Sequence, residues 1–162
     1  MRSLAVISEK GGTGKTTTVL NVAGELSRLG HRVLVVDADP QGNASMVLLG
    51  GEKPTSPTLA HVLGGLAGVR DAIRSTRFER LSLLPGDALL ADVALQLAGE
   101  LGRERRLRLA LEEVAGDFDY IVCDSPAGIE TGALMAMHFA DEARLATMAV
   151  AVRACVCAPF II

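Results

Sequence analysis

A glycine-rich segment that follows an apolar run constrains the fold of this chain more than any other feature. The apolar residues 4–7 predict a buried strand, and a helical pattern begins near Gly14 or Lys15. Glycines between them let the backbone curl so that several N–H groups face one point, which also receives the positive end of the helix dipole. The segment therefore predicts a phosphate-binding loop, and an ordinary glycine-rich turn is the alternative. The candidate residues are Lys10, Gly11, Gly12, Thr13, Gly14, Lys15, Thr16 and Thr17.

Two side chains of this loop have predicted roles in binding a nucleotide and its metal ion. Lys15 can bring a full positive charge to the outer phosphates, and Thr16 can offer a hydroxyl to Mg²⁺. The loop departs from the standard GxxxxGK[ST] pattern, because Glu9 stands where that pattern has its first glycine. A second lysine, Lys10, follows Glu9 directly.

This KGGxGK[ST] form resembles the deviant phosphate loop of the ParA/MinD superfamily of partitioning and positioning ATPases. Lys10 lies on the outer rim of the loop, where it is poorly placed to reach its own nucleotide and well placed to reach one held by a facing subunit. The resemblance implies that Lys10 crosses the interface of an ATP-dependent homodimer to the partner's phosphates. Without its neighbours, Lys10 would be interpreted as a solvated surface charge.

Two carboxylates follow a second predicted strand, residues 32–36. Asp37 and Asp39 leave the end of that strand on the same side, and ligands of parallel sheets lie at the carboxyl ends of strands. The run DxDPQGNAS at residues 37–45 resembles the ParA/Soj branch in particular. The resemblance implies that Asp39 positions the attacking water and that Asp37 supports Mg²⁺ through water. A simple strand-end turn is the alternative, since these residue types favour turns.

A third apolar strand, residues 119–123, ends in Asp124, which is typical of a Walker-B carboxylate that holds Mg²⁺ through water. Residues 124–143 resemble bacterial MinD, whereas the first two-thirds of the chain resemble ParA. The resemblance implies a slow, partner-stimulated ATPase that segregates a plasmid or chromosome, with MinD-like positioning of the division site as the alternative. The predicted catalytic residues are Lys10, Lys15 and Asp39. The predicted metal-binding residues are Thr16, Asp37 and Asp124.

The remaining pattern predicts one α/β domain of the P-loop NTPase type, with a mostly parallel sheet and helices on both faces. The chain has 162 residues, of which 49% are hydrophobic and 3% aromatic, so its core is mainly aliphatic. A strand is predicted at Leu81–Leu84, and a short helix at residues 56–64 with Pro57 just inside its start. Two apolar stripes predict sheet-packing helices. They comprise Leu90, Val93, Ala94, Leu97 and Leu101, and then Leu107, Leu111 and Val114.

Charge argues against general attraction to nucleic acid, because the formal net charge is −3. The basic cluster between Arg103 and Arg108 is mixed with glutamates, which favours a solvated helix face. The resemblance implies a centromere-binding, ParB-like partner. Non-specific DNA binding is compatible with it, but the region that the ParA branch uses is not matched here. No membrane anchor is seen.

Cysteine usage favours the cytoplasm. Cys123 lies within a predicted strand as a small buried hydrophobe, and Cys155 and Cys157 form an isolated CxC that is too little for a zinc site. An odd number of cysteines and no signal peptide predict a reducing compartment. Structural roles are favoured for the three histidines, which are His31, His61 and His138.

The resemblance ends near Ala143. We therefore expect a partial P-loop ATPase domain at residues 1–143, C-terminally incomplete, and an atypical tail at residues 144–162. A truncated or frame-shifted end is the favoured explanation, and a terminal edge strand at residues 147–152 is the alternative. Two other functions stay open: a nucleotide-binding remnant without hydrolysis, and a P-loop metabolic or metal-centre maturation enzyme. A regulatory GTPase is disfavoured, because no Asn-Lys-x-Asp string is present.

Overall fold

Strands and helices alternate along most of the chain. The computed structural model describes residues 1–128 and 131–145. Its strands are β1 (Arg2–Ser8), β2 (Val33–Asp37), β3 (Arg74–Ser75), β4 (Leu81–Leu84), β5 (Tyr120–Ala127) and β6 (Glu142–Leu145). Its helices are α1 (Lys15–Arg28), α2 (Asn43–Leu48), α3 (Leu59–Leu63), α4 (Val69–Ala72), α5 (Leu89–Leu97), α6 (Arg106–Glu112) and α7 (Thr131–Phe139).

The strands form one sheet in the order β3-β4-β2-β5-β1-β6. Every neighbouring pair is parallel except β3 and β4, which are antiparallel. Because β5 lies between β1 and β2, the loops that leave these three strands meet at one edge of the sheet. The register places Asp37 of β2 directly beside Asp124 of β5. The predicted fold class is confirmed.

Apolar residues on both faces of the sheet explain why helices cover both. Along β2, Leu34 and Val36 belong to one buried cluster, whereas Val33 and Val35 belong to the other. This alternation is the two-residue period of a strand with both faces buried. Helices α1 and α2 contribute to the second cluster, and α3, α4, α5, α6 and α7 to the first.

Two predicted helices differ in detail from the structure. Pro57 lies before α3 rather than inside it, because Thr58 is the N-cap and the helix begins at Leu59. His61 completes the cap, since its Nδ1 lies 2.9 Å from the Thr58 hydroxyl and accepts from the Thr58 N–H. A structural role for His61 is therefore confirmed.

The first apolar stripe is shorter than predicted. Helix α5 ends at Leu97, and Leu101 lies beyond it with a fully exposed side chain, so it does not pack on the sheet. The second stripe is buried as predicted, with Leu107, Leu111 and Val114 each at most 1% exposed.

The basic cluster lies on the surface, as predicted. Arg106 pairs with Glu100 and Arg108 with Glu112, and all four side chains are at least 39% exposed. Exposed ion pairs of this kind add little to stability, typically about 0–1 kcal/mol.

Several sequence-based interpretations fall on residues outside the described ranges. These include part of the MinD-like stretch at Ile129 and Glu130, the CxC of Cys155 and Cys157, and the alternative strand at 147–152. The expected boundary between residues 143 and 144 falls inside β6. Cys123 is fully buried in β5. None of the described helices is long and apolar enough to cross a membrane.

Candidate functional site

The loop between β1 and α1 has the backbone of an anion cradle. Gly12 and Gly14 adopt φ of 74° and 81°, values that only glycine reaches without strain. A Cβ built on Gly12 would meet nothing within 4 Å, so the space beside this glycine is open. Gly14 is the N-cap of α1 and makes no side-chain cap hydrogen bond. The first N–H groups of a 14-residue helix therefore stay available to a bound anion.

Lys15 is held inside this loop. Its side chain belongs to a residue only 7% exposed, and its ammonium donates a hydrogen bond of 3.4 Å to the Lys10 carbonyl oxygen. The hydroxyls of Thr13 and Ser8 donate to the same carbonyl at 3.3 Å. An ammonium carries three donors, so Lys15 is fixed in position with donors left for a phosphate.

The predicted phosphate loop, the segment that follows β2 and the end of β5 line one cleft of about 570 Å³. Its wall is formed by residues 11–17 of the first loop, by Asp39 and its neighbours, and by Pro126 and Ala127 after Asp124. Asp39 is half-buried here, and its Oδ1 accepts the N–H of Gln41 at 2.9 Å. Residues that lie far apart in the sequence are thus brought together around a single cavity.

Asp124 lies buried beside this cleft without hydrogen bonds of its own. It is 0% exposed, and its two carboxylate oxygens are the buried side-chain atoms without a partner within residues 1–128 and 131–145. Its pKa is raised to about 7, mainly by burial and in addition by the charges of Asp37 and Asp39. The nearby Thr16 hydroxyl and the Lys15 charge oppose that shift.

An unpartnered buried carboxylate is unstable unless a cation or proton compensates it. Asp124 therefore fits a divalent ion bound near Thr16. In the part of the chain that is described, no three His, Cys, Asp or Glu side chains cluster as a metal site. Mg²⁺ held here would take further oxygens from phosphates and water, which is its common coordination in nucleotide sites.

Asp37 is equally buried but has partners. Its Oδ2 accepts both the N–H and the hydroxyl of Ser45, each at 2.7 Å, and its Oδ1 accepts the N–H of Asp39 at 3.2 Å. Burial raises its pKa to about 6, the bonds from Ser45 and Asp39 oppose the shift, and the charge of Asp39 adds to it. The structure thus places this predicted magnesium residue beside Asp124 with its oxygens already engaged by protein groups.

Lys10 lies on the rim of the cleft. The residue is exposed, and no ion pair forms on its ammonium among the residues that the structure describes. Its carbonyl organises the loop, whereas its side chain extends toward solvent-accessible space. An exposed side chain fits both predictions for Lys10, a contact with a second subunit and a solvated surface charge.

Sequence reasoning missed Ser45 and Gly86. Ser45 is fully buried, and its hydroxyl accepts the N–H of Gly86 at 2.9 Å while it donates to Asp37. The available signal was positional: Ser45 ends the DxDPQGNAS run, and Gly86 follows the β4 strand through Pro85. Neither position carries chemistry that distinguishes it from an ordinary turn.

A family model described as an AAA domain (AAA_31) matches residues 1–153. The chain is 41% identical over 143 residues to the chromosome partitioning protein ParA of Caulobacter vibrioides, covering 87% of this chain and 54% of ParA. It is 39% identical over 147 residues to the septum site-determining protein MinD of Escherichia coli, covering 90% of this chain and 52% of MinD. The chain thus spans about half the length of the curated relatives it matches.

The chain is also similar to solved structures of nucleotide-bound proteins. Cobyrinic acid a,c-diamide synthase from Mycobacterium smegmatis, with bound ATP analog and magnesium, matches with a TM-score of 0.85 and 35% identity. That match covers 90% of this chain and 59% of the synthase. MinD complexed with Mg-ADP from Pyrococcus horikoshii matches with a TM-score of 0.76 and 36% identity, covering 90% of this chain and 57% of MinD.

Proposed function

The chain belongs to the ParA/MinD superfamily of P-loop ATPases, and on that premise we propose that it binds ATP with Mg²⁺ and hydrolyses it slowly. Its output is the segregation of a chromosome or plasmid, as the name of its Caulobacter relative suggests. The observation that carries the proposal is Asp124, a buried carboxylate with two unpartnered oxygens beside a phosphate-type loop.

The predicted site residues have distinct roles in this proposal. The N–H groups of residues 11–15 and the Lys15 ammonium hold the phosphates, and Thr16 and Asp124 hold Mg²⁺. Mg²⁺, when bound, neutralises negative charge on the phosphate oxygens. Asp39 orients the attacking water from its position in the wall of the cleft. Catalysis of this kind depends mostly on positioning and charge, so a rigid cradle suffices.

The exposed Lys10 makes the cycle a switch. From the rim of one cleft it reaches the phosphates held by a second subunit, so ATP favours the dimer and hydrolysis releases it. The partner in segregation is a ParB-like centromere-binding protein. Non-specific DNA is a further candidate ligand, although the region that the ParA branch uses for it is not matched in this chain. The cycle takes place in the cytoplasm, where ATP and a reduced Cys123 thiol are both expected.

Two relatives favour other outputs for the same chemistry. The 39% identity to MinD of E. coli supports positioning of the division site as the alternative within the superfamily. The TM-score of 0.85 to cobyrinic acid a,c-diamide synthase supports a metabolic enzyme that uses ATP on a small molecule. Partitioning is preferred because the run at residues 37–45 resembles the ParA branch.

Phosphate release from Mg·ATP tests the proposal. The wild-type chain should release phosphate above background, and Asp39→Ala should lower that rate about 100-fold, the range that one group acting on the attacking water contributes. Both proteins should bind a fluorescent ATP analogue with similar affinity, because Asp39 contacts water rather than phosphate in this scheme. Equal background rates in both proteins, with binding retained, would instead identify a nucleotide-binding remnant.

A further inference from the structure

Three separate segments of the chain meet at the hydroxyl of Ser45. The hydroxyl donates to Oδ2 of Asp37 at the end of β2, and it accepts the N–H of Gly86 in the loop after β4. Ser45 itself lies in the first turn of α2. All of these bonds are buried, where no water competes for them, so they restrain the three segments relative to each other.

The meeting point is too tight for any residue but glycine at position 86. A Cβ built on Gly86 would lie 2.3 Å from the Asp37 carbonyl oxygen and 3.1 Å from a methyl group of Leu90. The neighbouring Gly42, at φ of 63°, would likewise place a Cβ 3.1 Å from the Gly86 carbonyl oxygen. The backbone of the β4 loop therefore packs directly against both ends of the segment that follows β2.

The loop formed by residues 38–44 is held at both ends by one carboxylate. Asp37 accepts the N–H of Asp39 on one oxygen and two bonds from Ser45 on the other. Between these anchors, the N–H of Gly42 donates to the Asp39 carbonyl oxygen at 2.9 Å. Asp39, the residue that faces the cleft, therefore lies in a short closed loop whose two ends cannot separate.

We propose that Ser45 is a positioning residue that joins Asp37 and Gly86 and thereby fixes Asp39 at the cleft. The same bonds give Asp37 a role in the fold, because they close the loop, and its support of Mg²⁺ through water stays a prediction. The catalytic part of this inference rests on the proposed hydrolysis of ATP, whereas the closed loop is a property of the fold alone.

The test compares Ser45→Ala with a matched control, Ser3→Ala, in the full chain. Ser3 is also buried. Its hydroxyl donates to the Phe139 carbonyl oxygen and accepts the N–H of Asp141, so it makes the same kinds of bond as Ser45. It lies near the amino end of β1, remote from the cleft. Ser45→Thr, which keeps the hydroxyl, serves as the conservative variant, and Ser45→Cys replaces Ser45→Ala if the latter does not fold.

Hydrogen exchange of individual amides is the readout that needs no activity. Loss of a hydrogen bond to a charged group changes the equilibrium constant for local opening about tenfold or more. Ser45→Ala should therefore speed amide exchange at Asp39, Gly42 and Gly86 by about 10-fold. Ser45→Thr should stay within about twofold of wild type, and Ser3→Ala should leave these three amides unchanged. Unchanged exchange in Ser45→Ala, or equal changes in Ser3→Ala, would overturn the proposal.

Kinetics separates positioning from binding. Ser45→Ala should lower kcat for phosphate release about 10-fold or more and keep the dissociation constant of Mg·ATP within about threefold. Loss of affinity with kcat unchanged would overturn the proposed role. If the wild-type chain releases no phosphate, the proposed ATPase function fails, and the exchange experiment still decides whether Ser45 closes the loop.

Discussion

Replacing Asp124 with asparagine should change the unfolding free energy of the unliganded protein in a pH-dependent way. The difference between the variant and wild type should favour the variant more at pH 8 than at pH 5. The reason is the uncompensated buried charge, because neither carboxylate oxygen of Asp124 has a hydrogen-bond partner and the residue is 0% exposed. Asparagine has nearly the same shape and carries no charge. The variant therefore removes the electrostatic penalty and keeps the packing of β5.

The magnitude follows from the pKa. Burial raises the pKa of Asp124 from 3.8 to about 7, so the folded protein binds a proton that the unfolded chain has already lost. Stability from this group is therefore greatest below the unfolded pKa and falls as pH rises toward the folded pKa. Between about pH 5 and pH 8 that loss amounts to about 3 kcal/mol. The Asp124→Asn variant has no carboxyl group at this position, so it does not undergo this loss of stability.

Urea unfolding at the two pH values measures this difference. The buried amide of asparagine also lacks partners, which costs about 1–3 kcal/mol, but that penalty does not depend on pH. Relative to wild type, the unfolding free energy of Asp124→Asn should therefore rise by about 3 kcal/mol from pH 5 to pH 8. The slope of free energy against urea should stay the same, because the surface exposed on unfolding is unchanged.

Asp119→Asn is the matched control. Asp119 is exposed, and its hydrogen bonds with Arg32 lower its pKa to about 2. Its contribution is lost only as the pH falls through that value, so the carboxylate stays ionised between pH 5 and pH 8 and the effect of this variant should not change with pH. A pH-independent difference between Asp124→Asn and wild type would refute the reasoning, since it would mean that Asp124 holds no uncompensated charge.

Two further substitutions test other parts of the site. Lys10→Ala should leave binding of Mg·ATP within about threefold of wild type, because its exposed ammonium lies on the rim, but it should abolish ATP-dependent dimers in sedimentation; dimers that persist would exclude a role across the interface. Gly86→Ala should destabilise the fold by about 1–3 kcal/mol or more in urea unfolding, because its Cβ would lie 2.3 Å from the Asp37 carbonyl oxygen. A stability equal to that of wild type would mean that the loop after β4 can shift away from β2 without cost and does not pack tightly against it.

The strands and the phosphate loop could be predicted because their sequence signals are local. Strand β4 occupies the predicted residues 81–84, and α1 begins at Lys15, directly after a glycine with positive φ. The signals are continuous apolar runs, which are typical of strands buried on both faces, and glycines at the positions where the loop needs positive φ. Prediction failed where a long-range contact decides the outcome. The exposure of Leu101 is a different case, because its helical spacing is correct but α5 ends before it, at Leu97.

The two buried carboxylates show the same limit within the site. Asp37 and Asp124 have the same local signal, an aspartate that follows an apolar run, and they are register neighbours on adjacent strands. The structure distinguishes them, because β2 ends at Asp37 whereas β5 continues past Asp124 to Ala127. Their difference comes from Ser45 and Asp39, whose groups engage Asp37, whereas no described group bonds to Asp124. Spacing along the chain cannot reveal which carboxylate the fold engages and which it leaves for a ligand.

The difference between Asp37 and Asp124 couples the stability of the fold to the binding of a ligand in the cleft. Asp37 is partly compensated by protein hydrogen bonds, which oppose the effect of burial on its pKa. Asp124 lacks such hydrogen bonds, and the Lys15 charge and the nearby Thr16 hydroxyl do not offset its burial. The ionised carboxylate therefore strains the fold electrostatically whenever the cleft lacks a bound cation. Any ligand that brings Mg²⁺ relieves that strain, and at about 100 times its dissociation constant it should stabilise the wild-type chain by about 2.7 kcal/mol. Because the strain is greatest for ionised Asp124, the gain at a fixed ligand concentration should be larger near pH 8 than near pH 5. Thermal unfolding at both pH values measures it, and an equal gain at both would show that the ion does not bind through Asp124.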